Sequence, residues 1–300
     1  MNAGSGGYKN PAAQVGYMRV ADVMTPRSEL VTATVPGSRE DVLEILQERA
    51  FSSVPVVKET ADGEVFRGLV SRERLIEDAQ EEQLALLLEE IEPIEPDASI
   101  EALAAHMVAT DARRVPVVDS GLDGIVTITD VVRRVATGDI ETDVEVGGFA
   151  DGRVHTAYAG TPLMAAERCL FFGREPYAVA LDDSGEMVGI FTAVDILSEA
   201  KVVEGEEETG DSIANQDSEW AWEGIKAIGN RVLSTRNVEL PDITVAEIMT
   251  EDMVTVSPRR TVHETARLMI KHDIEQIPVV RGDELIGIVK DMHLLAALYE

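Results

Sequence analysis

Two short runs place a hydroxyl and a carboxylate three residues apart: Thr127-Ile-Thr-Asp130 and Thr192-Ala-Val-Asp195. In both, the threonine ends an apolar, strand-like stretch led by glycine, and the aspartate opens a helix-like stretch. Thr and Asp at this spacing satisfy the free amides of a helix start, which is a purely structural job. Beside an apolar cleft the same pair can do more. A carboxylate there accepts both hydroxyls of a ribose in charge-assisted bonds. Thr Oγ and unpaired helix-start amides hold a phosphate, and apolar strand edges sandwich a flat base. The motif alone leaves capping and binding both open.

Other chemistry finds little support. There is no Gly-x-x-x-x-Gly-Lys-Ser/Thr loop and no Gly-x-Gly-x-x-Gly after a strand. Gly4-Ser5-Gly6-Gly7 reads as tail, and no Gly-x-Ser-x-Gly elbow appears. Histidines 106, 155, 263, 272 and 293 lack His-x-x-x-His spacing, so no metal site is expected. Carboxylates are so many that any one pair carries no signal. The single cysteine, Cys169, excludes an internal disulfide and reads as a core residue on the apolar side of a helix. The expectation is a non-catalytic protein with no catalytic cofactor.

Composition narrows the partners. The chain has 300 residues with 56 Asp+Glu against 26 Lys+Arg, a formal charge of −30. Nucleic acid and anionic membrane surfaces call for basic partners, so neither is expected here. With 4% aromatics, few stacking platforms for single strands exist. Lysine stands only at 9, 58, 201, 226, 271 and 290. Acid-rich and lysine-poor, the chain reads as one adapted to high salt, with a merely acidic protein as the alternative. MNAGSGGYKN lacks the apolar centre of a signal peptide, and no apolar run reaches membrane-spanning length. The densest apolar patch, Leu84 to Leu88, is expected inside an acidic helix. A cytoplasmic protein follows from these features.

The elements that position the two runs recur four times. Each copy is a short strand broken by proline, a turn, and a strand led by glycine. The copies are Val54-Pro55-Val56-Val57 with Gly68, Val115-Pro116-Val117-Val118 with Gly124, Pro176-Tyr177-Ala178-Val179 with Gly189, and Ile277-Pro278-Val279-Val280 with Gly287. These prolines lie 61, 60 and 102 residues apart, which puts one insertion, about 201–242, between copies 3 and 4. A helix precedes each proline strand. Thr261 and Glu264 have capping-box spacing, with Val262, Ala266, Met269 and Ile270 on one face. Ile100, Leu103, Ala104 and Met107 make the face behind Asp97, and Val42, Ile45 and Leu46 the face behind Ser38. Thr161 is expected as a cap with Pro162 at the first helical position. The unit is β-α-β-β-α in an α+β fold. Units of about 60 residues bury little core alone and should pair. Ala21-Asp-Val-Met-Thr25 and Ala246-Glu-Ile-Met-Thr250 precede copies 1 and 4. The insertion holds both tryptophans, Trp220 and Trp222, which read as core closing a gap or as a docking surface for a partner. Residues 1–16 read as a disordered tail.

Val-Pro-Val-Val followed by Gly-Ile-Val-Thr-x-x-Asp resembles the CBS domain family over nearly all of the chain outside the insertion. The resemblance implies four CBS domains in two Bateman modules, residues 17–143 and 144–300, with a disk as one form of the whole. The plan is similar to archaeal four-CBS proteins that look like the gamma subunit of AMP-activated protein kinase. It implies an adenine nucleotide (AMP, ADP or ATP) as ligand, with Asp130 and Asp195 on ribose and Thr127 and Thr192 near the first phosphate. It further implies Arg113, Arg114 and Arg174 along the phosphates and Val31 and Val254 at adenine. Copies 1 and 4 depart from the pattern, with Ser71-Arg-Glu-Arg74 and Lys290-Asp-Met-His293. Arginine has no acceptor for ribose hydroxyls, so one full site per module is expected. An energy or ligand sensor acting on a separate, unidentified effector protein is the function implied, as a monomeric disk or a homodimer. The alternatives are an S-adenosylmethionine sensor, disfavoured by a sulfonium beside Arg113 and Arg114, and a ligand-free scaffold working through Trp220 and Trp222.

Overall fold

The computed structural model describes all residues except 1–17, 50, 62, 79–80, 200, 205–235 and 300. The disordered-tail expectation and the Trp220–Trp222 segment lie outside the described residues. After β1 (Thr25–Pro26), the first unit runs β2 (Ala33–Thr34), α1 (Arg39–Arg49), β3 (Ser53–Thr60), β4 (Gly63–Ser71) and α2 (Arg72–Glu77). The second holds α3 (Ile100–Thr110), β5 (Arg114–Val118), β6 (Leu122–Thr127) and α4 (Ile128–Thr137), its first strand reduced to a parallel bridge from Ile94 to Val117. The third is β7 (Thr156–Tyr158), α5 (Leu163–Gly173), β8 (Tyr177–Leu181), β9 (Met187–Thr192) and α6 (Ala193–Ser198). Next, β10 (Lys201–Glu204) and β11 (Arg236–Glu239) pair antiparallel, so the insertion leaves and returns side by side. The fourth unit has α7 (Val262–His272), β12 (Gln276–Arg281), β13 (Glu284–Lys290) and α8 (Asp291–Ala296), again with a single parallel bridge, Val256 to Val279.

Local chemistry explains the helix starts. Thr261 Oγ1 accepts from Glu264 N–H at 3.1 Å, and Glu264 Oε2 accepts from Thr261 N–H at 3.4 Å. Ser38 and Asp41 form the same reciprocal cap. Ser99, nearer the helix than Asp97, caps α3 by accepting from Ala102 N–H at 3.2 Å. Pro162, not Thr161, is the cap position of α5, and it makes no side-chain bond. The expected apolar faces are buried in α3 and α7, through Ile100, Leu103, Ala104 and Met107, and Val262, Ala266 and Met269.

Three further expectations are corrected. Leu84 to Leu88 is no helix but a 3-10 turn over Leu84–Leu86, with Leu84 and Leu87 buried against the first unit. Cys169 is exposed, because α5 buries Leu163, Ala166 and Leu170, and the residue before Leu170 turns about 100° away from that face. Pro176 does not sit where the other three prolines sit. Pro116 faces Ile125 and Val117 faces Gly124, whereas in the third unit Val179 faces Ile190 and Ala180 faces Gly189. The bulge that follows the residue opposite each glycine confirms this register, at Val56/Val57, Val117/Val118, Ala180/Leu181 and Val279/Val280. Val179 therefore fills the proline slot, and Pro176 stands three residues ahead of it.

The segment leading into each unit crosses to a neighbouring unit. Thr25 and Pro26 pair with Ile125 and Gly124 of β6, and Glu89 bridges Leu69 of β4. Likewise Thr250 bridges Ile190 of β9, and Asp151 bridges Ile288 of β13. Units 1 and 2 thus exchange leading segments, and so do units 3 and 4. The glycines of β4, β6, β9 and β13 leave room for this crossing. A Cβ on Gly124 would stand 2.5 Å from Thr25 O and 2.7 Å from Met24 Sδ, and one on Gly189 would stand 2.6 Å from Met249 Sδ. Met24 and Met249, of the Met-Thr shared by the two leading segments, thus occupy the same place against their glycines. Gly124→Ala is expected to lower stability by about 1–3 kcal/mol, since backbone must shift to admit the methyl. A denaturant midpoint equal to wild type would show that the crossing has slack.

Helices join the two pairs of units. One core cluster combines Leu103, Met107, Val131 and Val135 of unit 2 with Val262, Met269, Leu294 and Leu295 of unit 4. Units 1 and 3 keep separate clusters, around Val42, Leu46 and Leu75, and around Leu163, Phe191 and Ile196. Among the described residues no helix is long and apolar enough to cross a membrane.

Candidate functional site

The two Thr-x-x-Asp runs occupy equivalent corners. Thr127 ends β6 and caps α4: its N–H and Oγ1 donate to Asp130 Oδ2 at 2.9 and 2.7 Å, while Asp130 N–H donates back to Thr127 Oγ1 at 3.3 Å. Thr192 and Asp195 repeat the arrangement at 2.7, 2.8 and 3.3 Å. The cap uses one carboxylate oxygen in each corner and leaves the other without a hydrogen bond among the described residues. Asp130 Oδ1 has only Arg133 at 3.7 Å, a loose pair on the helix surface. Both threonine hydroxyl protons point at aspartate, so a phosphate would meet Thr127 or Thr192 only after that hydroxyl turns.

Val31 and Val254 lie on the segments that follow the crossings. Val31 follows β1, which lies on β6, and Val254 follows Thr250, which lies on β9. Each stands two residues before the residue that pairs with the proline strand opposite its glycine: Ala33 on Val56, and Val256 on Val279. The same register position before Ile94 is Glu92, and before Ala157 it is His155. So this register position is apolar in the segments leading into units 1 and 4, which lack the aspartate, and polar in those leading into units 2 and 3, which keep it.

Sequence reasoning missed the residue that fixes the Val31 loop. Arg27 forms a two-point ion pair with Glu64 at 2.8 and 2.7 Å, and also donates to Leu30 O at 3.3 Å and Thr32 Oγ1 at 3.1 Å. That pair lifts Arg27 above, and pulls Glu64 below, their ordinary pKa values, chiefly through the hydrogen bond between them. No spacing rule links positions 37 residues apart.

The three arginines do not occupy equivalent places. Arg114 pairs across the ladder with Thr127, at the corner itself. Arg113 O accepts from Ile128 N–H at 2.9 Å, but its guanidinium turns to unit 4. There it forms two bonds to Asp291, at 3.2 and 2.7 Å, and reaches Glu275 at 2.9 Å. Burial pulls the Arg113 pKa down, and its hydrogen bond to Asp291, with the charges of Asp291, Glu275 and Asp111, more than restores it. Arg174 is an exposed, left-handed residue ending α5 (φ 53°), as Asp111 and Asp273 end α3 and α7. The counterpart of Arg114 in unit 3 is Tyr177, which faces Thr192. The apparent match of Arg174 came from counting back from Pro176, which is out of register.

Unit 4 shows how a corner without aspartate is filled. His293 takes the aspartate place, its Nδ1 accepting from Lys290 N–H at 3.2 Å. This requires a neutral ring with the proton on Nε2. Lys290 Nζ meets Glu175 at 2.9 and 2.6 Å and lies 5.4 Å from the Tyr177 ring centre. Burial, helped by Lys290, holds His293 below the usual imidazole pKa against the pull of Asp151, Asp291 and Glu175. The unfolded chain then binds the proton first, so stability is full above about pH 6.5 and falls as the pH drops through that value. His293→Asn keeps an acceptor for Lys290 N–H and should flatten the stability profile between about pH 7.5 and 5.5. An unchanged slope would assign it to other groups. In unit 1, Ser71 Oγ accepts from Arg74 N–H at 3.1 Å and donates to Glu89 at 2.7 Å. An open hollow in that unit is lined by Phe66, Arg67, Gly68, Glu90, Ile91 and Pro93, with no residue of either aspartate corner. Among the described residues no group of three or more His, Cys, Asp or Glu is placed to hold a metal ion.

Comparison with known proteins identifies the repeating unit. The CBS domain model matches residues 20–81, 86–137 and 245–300, which hold units 1, 2 and 4. The chain is 24% identical over 278 residues to the uncharacterized protein MJ1404 of Methanocaldococcus jannaschii, covering 92% of this chain and 61% of that one. It thus spans about three fifths of that relative's length. A solved structure of a conserved Pyrococcus horikoshii protein is 30% identical, with 94% of this chain and all of that one covered at a TM-score of 0.67. Protein MJ1225 of M. jannaschii, proposed as an archaeal homologue of g-AMPK, shares the fold at 19% identity and a TM-score of 0.61, over 93% and 99% of the two chains. The matched segments, with their crossed leading strands and glycine-led ladders, make this chain a member of the CBS domain family.

Proposed function

We propose that this is a non-catalytic regulatory protein that binds an adenosine compound in two clefts. Unit 3 is a fourth CBS domain in this reading, since it shares the ladder, the bulge and the crossing segment of the others. The exchange of leading segments supports modules at 17–143 and 144–300. In each module one cleft is complete. Asp130 and Asp195 take the ribose through their uncommitted oxygens, and Val31 and Val254 cover the base. Arg114 meets the phosphate at the unit 2 cleft, and Thr127 and Thr192 assist where their hydroxyls turn. The observation that carries the reading is the coincidence of two independent features: the segments that cross onto β6 and β9, the strands that end in the aspartate corners, are the ones with an apolar residue at the register position of Val31 and Val254. AMP, ADP and ATP are the ligands to try first.

A second reading has gained from the structure. The objection to the sulfonium of S-adenosylmethionine rested on Arg113 and Arg114, and Arg113 is already neutralised by Asp291 and Glu275. Calorimetry with AMP, ADP, ATP and S-adenosylmethionine in high salt ranks the two. Two bound molecules per chain are expected. No heat from any of the four would leave the corners as helix caps alone.

A further inference from the structure

We infer that Asp291 competes with ligand phosphate for Arg113, so that a polyanionic ligand in the unit 2 cleft loosens the joint between units 2 and 4. The inference rests on the proposed adenosine clefts and names their regulation. Arg113 stands at a junction of two demands. Its backbone holds the start of α4 through Ile128 N–H, next to the Arg114–Thr127 corner. Its guanidinium crosses 178 residues of sequence to a carboxylate on α8. Asp291 is 5% exposed and fills, in unit 4, the register place that Ile128 fills in unit 2. Its Oδ1 also accepts from Met292 N–H at 2.7 Å, so the carboxylate is fixed before arginine arrives. Helices α3 and α8 meet at this point, in the core shared by the two units.

A guanidinium offers a planar fork that suits either a carboxylate or a phosphate, and one fork cannot serve both at full strength. A ligand without phosphate leaves the Asp291 pair intact. A triphosphate draws Arg113 toward the cleft and strands a buried carboxylate at the joint, which weakens the α3–α8 contact. The coupling follows from different affinities of the ligand for the joined and loosened states. Lys290 is paired with Glu175 between units 3 and 4, and among the described residues the salt bridge of Asp291 is the one with Arg113.

Calorimetry with adenosine, AMP and ATP on the full chain tests the competition. Asp291→Asn should strengthen ATP binding about tenfold or more, AMP less, and leave adenosine within about twofold. Glu275→Gln, at the exposed rim of the pair, should move ATP the same way by a smaller factor, and stands in if Asp291→Asn fails to fold. Hydrogen exchange of residues 291–296 in the wild-type chain should rise with ATP and not with adenosine. An ATP-to-adenosine affinity ratio unchanged in both variants overturns the inference while leaving the clefts. Failure of all three compounds to bind wild type overturns the cleft reading, and this inference with it.

Discussion

Asp130→Asn should lose the ligand at one cleft and keep the fold. The amide nitrogen cannot accept a hydrogen bond, so the variant must turn its carbonyl oxygen to Thr127 N–H and Oγ1, which now donate to Asp130 Oδ2 at 2.9 and 2.7 Å. The cap survives, at a stability cost below about 1 kcal/mol. The NH2 group then faces the cleft, where the ribose needs an acceptor. Two charge-assisted bonds at about 1.5–3 kcal/mol each are lost, which is roughly a hundredfold or more in affinity. Asp195→Asn should do the same at the other cleft, because its cap geometry is the same. Calorimetry would show the bound stoichiometry falling from two to one in either variant and no binding in the double variant. Asp130→Ala is the poorer test, since it removes cap and acceptor together. If both Asn variants bind as wild type does, aspartate serves the helix alone and the ligand, if any, sits elsewhere.

The parts of this molecule written in local spacing were readable from the sequence, and the parts written in contacts between units were not. The reciprocal cap of Thr261 and Glu264 and the buried faces of α3 and α7 obey the helical period, which operates within a few residues. The Thr-x-x-Asp corners are local in the same sense. By contrast, the crossing segments are held by one or two residue pairs, too short to carry a strand pattern. Pro176 misled because proline is only one way to fill its slot. Val179 serves as well, and the displacement carried Arg174 to the left-handed end of α5 instead of the corner. His293 looked like a lost aspartate, yet an imidazole nitrogen accepts the same amide, so the cap persists where the anion is gone. The basic residues proved hardest. In a chain of charge −30 each arginine has many carboxylates to choose from, and sequence does not say which one lies near. Arg27 chose Glu64 and Arg113 chose Asp291, and both choices shape the candidate site from outside it.

Arg113→Met should destabilise the chain by about 2–3 kcal/mol, and adding Asp291→Leu should recover most of that loss. Methionine keeps much of the aliphatic bulk and removes the charge, which leaves Asp291, with 7% of its side chain exposed, without its cation. Stranding a fully buried partner costs about 3–5 kcal/mol. The smaller figure applies here because the Arg113 side chain is 41% exposed, so water takes up part of the lost interaction. The double variant replaces both charges with apolar groups at the joint whose core holds Leu103, Leu294 and Leu295, and such replacements are commonly neutral or better. Denaturant midpoints for the four chains of the cycle measure the coupling directly. Salt separates this pair from surface pairs: screening acts fully on exposed charges and much less on half-buried ones, so the loss should persist in high salt. A single Arg113→Met variant within about 0.5 kcal/mol of wild type would mean that the joint rests on its apolar core, and that Asp291 finds solvent or another donor when arginine leaves.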